Sequence, residues 1–186
     1  MKDEVLEINE IKISSPTLGT VMHKWEAPIM EQKAKWLCEN GGDILELGFG
    51  MGISASYIQK QKINSHTICE INPQILENLY KWAKDKPNVT ILEGDWYSNV
   101  DKMKKYNGIL FDTHMDSSHF YFRKVVPQIS KLNCRITWWN NQPREKNEHK
   151  LEGTIFEVLN VNPPKNTYFN YKQYYMPKYI YNHVAS

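Results

Sequence analysis

The stretch that decides the fold is Asp43-Ile44-Leu45-Glu46-Leu47-Gly48-Phe49-Gly50-Met51-Gly52. Its first five residues are mostly apolar and run straight into three glycines at alternate positions. A short apolar run bounded by turn residues reads as a buried strand. The residues from Ile53 to Lys62 follow with the spacing of a helix. Glycines between a strand and a helix let the backbone turn tightly and approach a bound molecule closely. The spacing is GxGxG, not the GxGxxG of dinucleotide sites, and Glu46 stands two residues ahead of the first glycine.

Outward from this turn, strands and helices alternate. Pro28 to Cys38 reads as a helix opened by proline and stopped by Asn40-Gly41-Gly42. Thr67–Ile71, Val89–Glu93, Asn107–Asp112 and Arg135–Trp139 read as strands, and Pro73–Lys84 and Ser118–Ser130 as helices. Alternation of this kind implies right-handed crossovers and a mostly parallel sheet. Gly153–Val161 and Gln173–Ile180 read as two further strands joined through Pro163, Pro164 and Asn166. The expected fold is therefore α/β: a Rossmann-like, three-layer αβα sheet, mostly parallel, closed by an antiparallel hairpin and reduced in its C-terminal half. Residues 1–20, with Ser14, Ser15, Pro16 and Gly19, read as a flexible, extended or looped polar arm, and 21–186 as a single domain.

The 186 residues suffice for one hydrophobic core, and 12% aromatic content argues against extensive disorder. The net charge of +2, with 23 basic and 21 acidic residues interleaved, does not suggest nucleic acid or an anionic membrane as partner. Cys38, Cys69 and Cys134 lie far apart and form neither a disulfide framework nor a metal-ligand pattern, so no metal is expected. No run of 18 apolar residues exists, and the first residues carry no apolar signal-like segment, so a cytoplasmic location is expected. A monomer and a homodimer are both open.

Three pieces of chemistry fall at the ends of successive strands, where open α/β sheets bind ligands. GxGxG preceded by an acid resembles the first motif of S-adenosylmethionine-dependent methyltransferases, which makes Glu46, Gly48, Gly50 and Gly52 candidate cofactor residues. Glu70, at 70 − 46 = 24 residues beyond Glu46, can accept both hydroxyls of a ribose. Gly94-Asp95-Trp96 ends the third strand. Asp95 can accept from an adenine amino group and Trp96 can pack against the ring. Taken singly, each also reads as an ordinary turn or strand end.

Leu18-Gly19, Val21-Met22, Trp25-Glu26, Pro28 and Met30 resemble the N-terminal signature of the guanidinoacetate N-methyltransferase family. Leu45-Glu46-Leu47-Gly48-Phe49-Gly50-Met51 is similar to that family's LEVGFGM, and Gly108-Ile109-Leu110-Phe111-Asp112-Thr113 to its GILYDT. The region around Asn160 to Pro164 looks related more loosely. Fungal arginine methyltransferases acting on the δ-nitrogen share the signature, so the resemblance points to a guanidino acceptor and not to one substrate. It implies S-adenosylmethionine as cofactor and S-adenosylhomocysteine as product. It also implies that Glu26 and Asp112 grip the substrate guanidinium, with Thr113 beside them, and that Asp112 takes its proton. Met22, Gly48, Glu70 and Trp96 match cofactor-contacting positions.

Elementary chemistry agrees with that implication. A guanidinium is a planar fork of N–H donors that pairs best with carboxylates. Its pKa of roughly 12.5–14 forbids free deprotonation near neutrality, so proton loss must accompany or follow methyl transfer. The chain departs from the family between Trp139 and Leu151, where eleven mostly polar residues are too few for a crossover helix. A more open acceptor pocket follows, able to take a small guanidino compound or a peptidyl arginine. A methyltransferase for another small amine and a catalytically silent cofactor-binding protein are the alternatives. A dinucleotide oxidoreductase fits the glycine spacing poorly. His114, His119, His149 and the run Arg144–Lys150 read as surface loops, and the cluster Tyr168, Tyr171, Tyr174, Tyr175 and Tyr179 as a half-buried hairpin.

Overall fold

The computed structural model describes residues 1–114, 121–166 and 168–182. His119 and the expected helical residues before Tyr121 lie outside them. Among the described residues, ten strands and four α-helices follow in the order β1 (Glu7–Ile8), β2 (Lys12–Ser15), β3 (Gly19–His23), α1 (Ala27–Leu37), β4 (Asp43–Leu47), α2 (Ile53–Gln59) and β5 (Ser65–Glu70). Next come α3 (Pro73–Ala83), β6 (Val89–Glu93), β7 (Tyr106–Phe111), α4 (Phe122–Ile129), β8 (Ser130–Trp138), β9 (Ile155–Asn160) and β10 (Gln173–Tyr181).

The main sheet has the order β6-β5-β4-β7-β8-β10-β9. The first five are parallel neighbours, and β10 runs antiparallel to both β8 and β9. The mostly parallel sheet with an antiparallel C-terminal hairpin is thus as the alternation implied. Leu47 pairs with Cys69 on one side and with Phe111 on the other, so the carboxyl ends of β5, β4 and β7 stand level.

Strand periodicity divides the core into two sides. Leu45, Leu47, Ile109, Phe111, Ile136 and Trp138 pack with Phe122, Val125, Val126 and Ile129 of α4. Ile44 and Leu110 face Ala34 and Leu37 of α1 and Ile58 of α2, while Ile75 and Leu79 of α3 pack with Ile68. Each such buried side chain is worth about 1.5–3 kcal/mol. Helix starts follow local chemistry: the Asn72 carboxamide accepts from the backbone N–H of Gln74 and Ile75, and Pro73 opens α3.

Two expectations are corrected. Residues 1–20 are not an unpacked arm: β1, β2 and β3 form an antiparallel sheet with Leu6 and Ile13 buried. Asn9 closes the β1–β2 turn by accepting from the N–H groups of Ile11 and Lys12, a side-chain turn that makes a hairpin of a polar stretch. The Gln74 side chain clasps Leu6, accepting from its N–H at 2.7 Å and donating to its carbonyl at 3.1 Å. The run Arg144–Lys150 is not wholly solvated either. His149 is buried edge-on against Phe111, Phe122 and Trp138, with ring centroids 4.8, 5.0 and 5.1 Å away. Among the described residues no helix lies between β8 and β9, and the packing of His149 and Leu151 on the core helps to anchor this loop.

Candidate active site

A cavity of about 960 Å³ opens at the carboxyl ends of β4, β5, β6 and β7. Its floor is the glycine loop. A side chain at Gly48 would put its Cβ 2.3 Å from the carbonyl oxygen of Asp112, and one at Gly50 would meet Met22 Sδ at 2.5 Å. Both residues have positive φ, +92° and +54°, so the cradle depends on glycine for shape as well as for space. Met22 backs the loop from β3 and accepts from the Met51 N–H at 3.2 Å.

Glu70 is buried at the end of β5. One of its oxygens accepts from Phe49 N–H at 2.9 Å and the other from Ile71 and Asn72 N–H at 2.8 Å. Three of roughly four lone-pair directions of a carboxylate are so used, and they tie the glycine loop to the start of α3. Asp95 accepts from Ser98 N–H at 3.1 Å and caps the turn after β6. Trp96 is buried edge-on to Phe111 and Phe122 at 5.3 and 5.8 Å, and its indole N–H has no hydrogen-bond partner among the described residues. Gly48, Gly50, Met22, Glu70, Gly94, Asp95 and Trp96 all line the cavity.

Two proposed cofactor residues do not. Glu46 lies one residue inside β4 on the helix-covered face, because side chains alternate along a strand. It is wholly buried, accepts from Ser54 Oγ and stands 3.0 Å from His66 Nε2. Ser54, not Glu46, reaches the cavity. Gly52 caps the start of α2 at φ +69°, where a Cβ would strike the Phe49 ring at 2.6 Å.

At the other end of the cavity two carboxylates converge. Glu26, only 4% exposed, sits in the short turn between β3 and α1. Its Oε1 accepts from His23 N–H at 2.8 Å and from the Tyr168 hydroxyl at 2.5 Å, and Trp25 Nε1 donates to that hydroxyl at 2.9 Å. Burial, aided by the neighbouring Asp112 and opposed by the Tyr168 hydrogen bond, drives the Glu26 carboxyl up to about 8. Asp112 follows β7, its N–H bound to Leu47 O at 2.9 Å. Burial raises its carboxyl too, while the Lys33 ammonium pulls it down. Thr113 lines the same wall, its buried hydroxyl without a partner among the described residues.

Sequence reasoning missed several wall residues. Tyr168, Trp139 and Glu148 line the cavity, brought in by loops that no local pattern connects to β7. His114 lines it as well and is not a surface loop residue; burial lowers its imidazole below the usual histidine range. Lys33 is fully buried beside them. Its place on the apolar stripe Ile29, Met30, Lys33, Ala34, Leu37 of α1 was the available signal.

A long Rossmann-like cleft with a glycine cradle, an acid at the end of the second strand and an indole at the end of the third defines an S-adenosylmethionine-dependent methyltransferase fold. The residues fit that cofactor: only glycine lets the loop pack this closely against Asp112 and Met22 to form the cavity floor, and the buried Trp96 N–H has no acceptor among the described residues. The sequence profile described as guanidinoacetate N-methyltransferase matches residues 7–140, and the chain belongs to that family. Protein arginine N-methyltransferase 2 of Kluyveromyces lactis is 33% identical over 118 residues, covering 60% of this chain and 29% of the relative. The chain thus spans under a third of that relative's length. Among solved structures, spermidine synthase from Thermotoga maritima superposes with a TM-score of 0.66 at 14% identity, over 95% of this chain and 72% of the other. Precorrin-6y C5,15-methyltransferase from Geobacter metallireducens gives 0.63 at 13% identity, over 90% and 92%. At such identities these two speak for the fold alone. No helix among the described residues is long and apolar enough to cross a membrane.

Proposed function

We propose that this chain transfers a methyl group from S-adenosylmethionine to a guanidino nitrogen of a small, guanidinoacetate-like or arginine-like acceptor. One observation carries the reading: Glu26 and Asp112 line the same cavity as the glycine cradle and Glu70. The cofactor supplies an electrophilic methyl on a sulfonium. Glu70, through its remaining lone-pair direction, and Asp95 would receive its ribose and adenine, Trp96 would pack along the adenine, and Met22, Gly48 and Gly50 would enclose the rest.

Glu26 and Asp112 fix the plane of the acceptor guanidinium and aim one nitrogen toward the methyl group that the cofactor would supply. Charge-assisted pairs with two carboxylates suit this task, and positioning supplies most of the rate gain in such a displacement. As the nitrogen–carbon bond forms and the carbon–sulfur bond breaks, the nitrogen gives up one proton. Asp112 accepts that proton and returns it to water. Thr113 steadies the acceptor through its buried hydroxyl.

The mouth without a helix between Trp139 and Leu151, together with the name of the Kluyveromyces lactis relative, supports a peptidyl arginine as the second reading. Incubation with methyl-labelled S-adenosylmethionine and guanidinoacetate, free arginine, agmatine or arginine peptides, read by mass spectrometry, tests both. A methylated small product is expected. Methylation of peptides alone would move the assignment to the second reading, and no product with any acceptor would overturn both.

A further inference from the structure

Tyr168 takes no part in the mechanism above, yet its hydroxyl stands 2.5 Å from Glu26 Oε1, 142 residues away in the chain. The connection between β9 and β10 is built to hold it there. Asn166 Oδ1 accepts from the N–H groups of Tyr168 and Phe169 at 3.0 and 2.7 Å. Asn166 Nδ2 donates to the carbonyls of Pro164 and Phe169 at 2.9 and 2.7 Å. Asn170 completes the clasp, accepting from Asn166 N–H at 3.1 Å and donating to Asn166 O at 2.6 Å. Such side-chain turns fix a connection that lies outside the strand ladder. Phe169, fully buried, packs with Ile29 of α1 and with Tyr174 and Met176 of β10. The Tyr168 ring lies against two indoles, its centroid 6.3 Å from that of Trp25 and 6.1 Å from that of Trp139.

Donor chemistry sets the direction of each bond. An indole N–H and a backbone N–H can only donate. Trp25 Nε1 therefore gives its proton to the Tyr168 oxygen at 2.9 Å, and the phenol turns its own proton to Glu26 Oε1. His23 N–H donates to that same oxygen at 2.8 Å. Oε1 thus carries two donors, as many as its lone pairs accept. Glu26 lines the cavity, and its Oε2 has no hydrogen-bond partner among the described residues. We propose that Tyr168 is a positioning residue for the acceptor: it commits Oε1 of Glu26 and leaves Oε2 as the single oxygen that takes one guanidinium N–H. This rests on the assignment of Glu26 to the guanidinium grip. In the empty pocket the proton of the neutral Glu26 carboxyl sits on Oε2, and the arriving N–H takes its place. The Tyr168 bond favours the carboxylate form, and burial together with the Glu26 charge keeps the phenol protonated far above its usual range. Tyr168 is therefore a donor in both states of Glu26. The other charges acting on Glu26 are Asp112 after β7, which raises its carboxyl, and Lys33 of α1, which lowers it. Glu148 and His114 line the same cavity, and the His23 imidazole accepts from Trp25 N–H at 3.1 Å. All of these stay in place when only the phenol oxygen is removed.

Tyr168→Phe removes that oxygen and keeps the ring. Carboxyl carbon-13 titration of the full chain, with the Glu26 signal assigned through Glu26→Gln, needs no acceptor. The Glu26 midpoint should rise by about one pH unit in Tyr168→Phe, the scale of one lost hydrogen bond to a charged group. Calorimetry with S-adenosylhomocysteine present then measures binding of guanidinoacetate and of acetyl-arginine amide, neither of which carries an α-amino group that titrates. Affinity for the probe that binds should fall about tenfold at pH 7 and by less than about twofold at pH 10, where both proteins are ionised at Glu26. A merely structural loss would be equal at the two pH values. Affinity for S-adenosylhomocysteine should stay within about twofold. If Tyr168→Phe does not fold, Trp25→Phe, which removes only the donor behind the phenol, should move the Glu26 midpoint the same way by a smaller amount. A Glu26 midpoint unmoved in the variant that folds, or an affinity loss equal at pH 7 and pH 10, overturns the proposal. Neither probe binding the wild type while the midpoint still shifts would count against the guanidinium reading and leave the Tyr168–Glu26 link standing; binding with an unmoved midpoint would do the reverse.

Discussion

The buried carboxyl of Glu26 makes acceptor affinity rise with pH in a window where few groups titrate. Its titration near 8 in the empty pocket means that about one molecule in eleven has it ionised at pH 7. A guanidinium needs the carboxylate, so binding at pH 7 costs about 1.4 kcal/mol to remove the proton. At pH 9 that cost has almost vanished, and the acceptor itself stays charged to roughly pH 12.5. Affinity for the preferred guanidino acceptor should therefore rise about tenfold from pH 7 to pH 9. Isothermal titration calorimetry in the presence of S-adenosylhomocysteine measures it, and buffers of different ionisation heat should reveal close to one proton released per acceptor at pH 7. In Glu26→Gln the rise should disappear, and affinity at pH 9 should fall by about 2–5 kcal/mol, the usual loss when one partner of a buried charge pair is truncated. A wild-type profile flat from pH 7 to pH 9, with no proton released, would refute this account of Glu26.

Further outcomes follow from the same geometry. The Glu26 carboxyl titrates higher in the folded chain, near 8, than its ordinary 4.5, so it lowers wild-type stability as pH rises through that interval; urea unfolding of Glu26→Gln should show a shallower decline over the same range. Asp112→Asn should cut turnover by about 10²–10⁴-fold, the scale of a lost general base, while S-adenosylhomocysteine binding stays within about twofold; a comparable loss in both would show that Asp112 acts only through the loop it braces. Gly48→Ala forces a Cβ against the Asp112 carbonyl, and S-adenosylhomocysteine affinity should drop by at least about tenfold, the equivalent of 1.4 kcal/mol. His66→Leu strips the buried Glu46 of its 3.0 Å neighbour and should cost about 1–3 kcal/mol in chemical denaturation, the scale of a buried polar group left unsatisfied. A loss under about 1 kcal/mol would mean that Ser54 alone satisfies that carboxylate.

Much of the architecture was legible because it is written in local periodicity. The apolar run 43–47, its glycines and the amphipathic helix behind them announce a strand–turn–helix from side-chain spacing alone, and the strand bounds of β4 and β6 agree with the reading to the residue. Glycine positions carry the turn because their backbone conformations and close contacts are local requirements. Glu26 and Asp112 were legible only through motif resemblance, since nothing in the residues between them says that both meet one cavity. The hairpin of β1 and β2 was missed because a side-chain turn at Asn9 and a single buried Ile13 outweigh a polar composition.

The sequence by itself determined the order of strands and helices from α1 onward, the ligand-binding turn and the residue types able to grip a guanidinium. Only the tertiary structure decided where each side chain points. Alternation along β4 turned Glu46 away from the cavity and onto His66, and crossing loops brought Tyr168, Trp139 and Glu148 into its wall. Burial then set the charges: Glu26 is driven toward its protonated form and Lys33 is enclosed by aromatic rings and acids. Those effects belong to distances between residues far apart in the chain, and no local pattern encodes them.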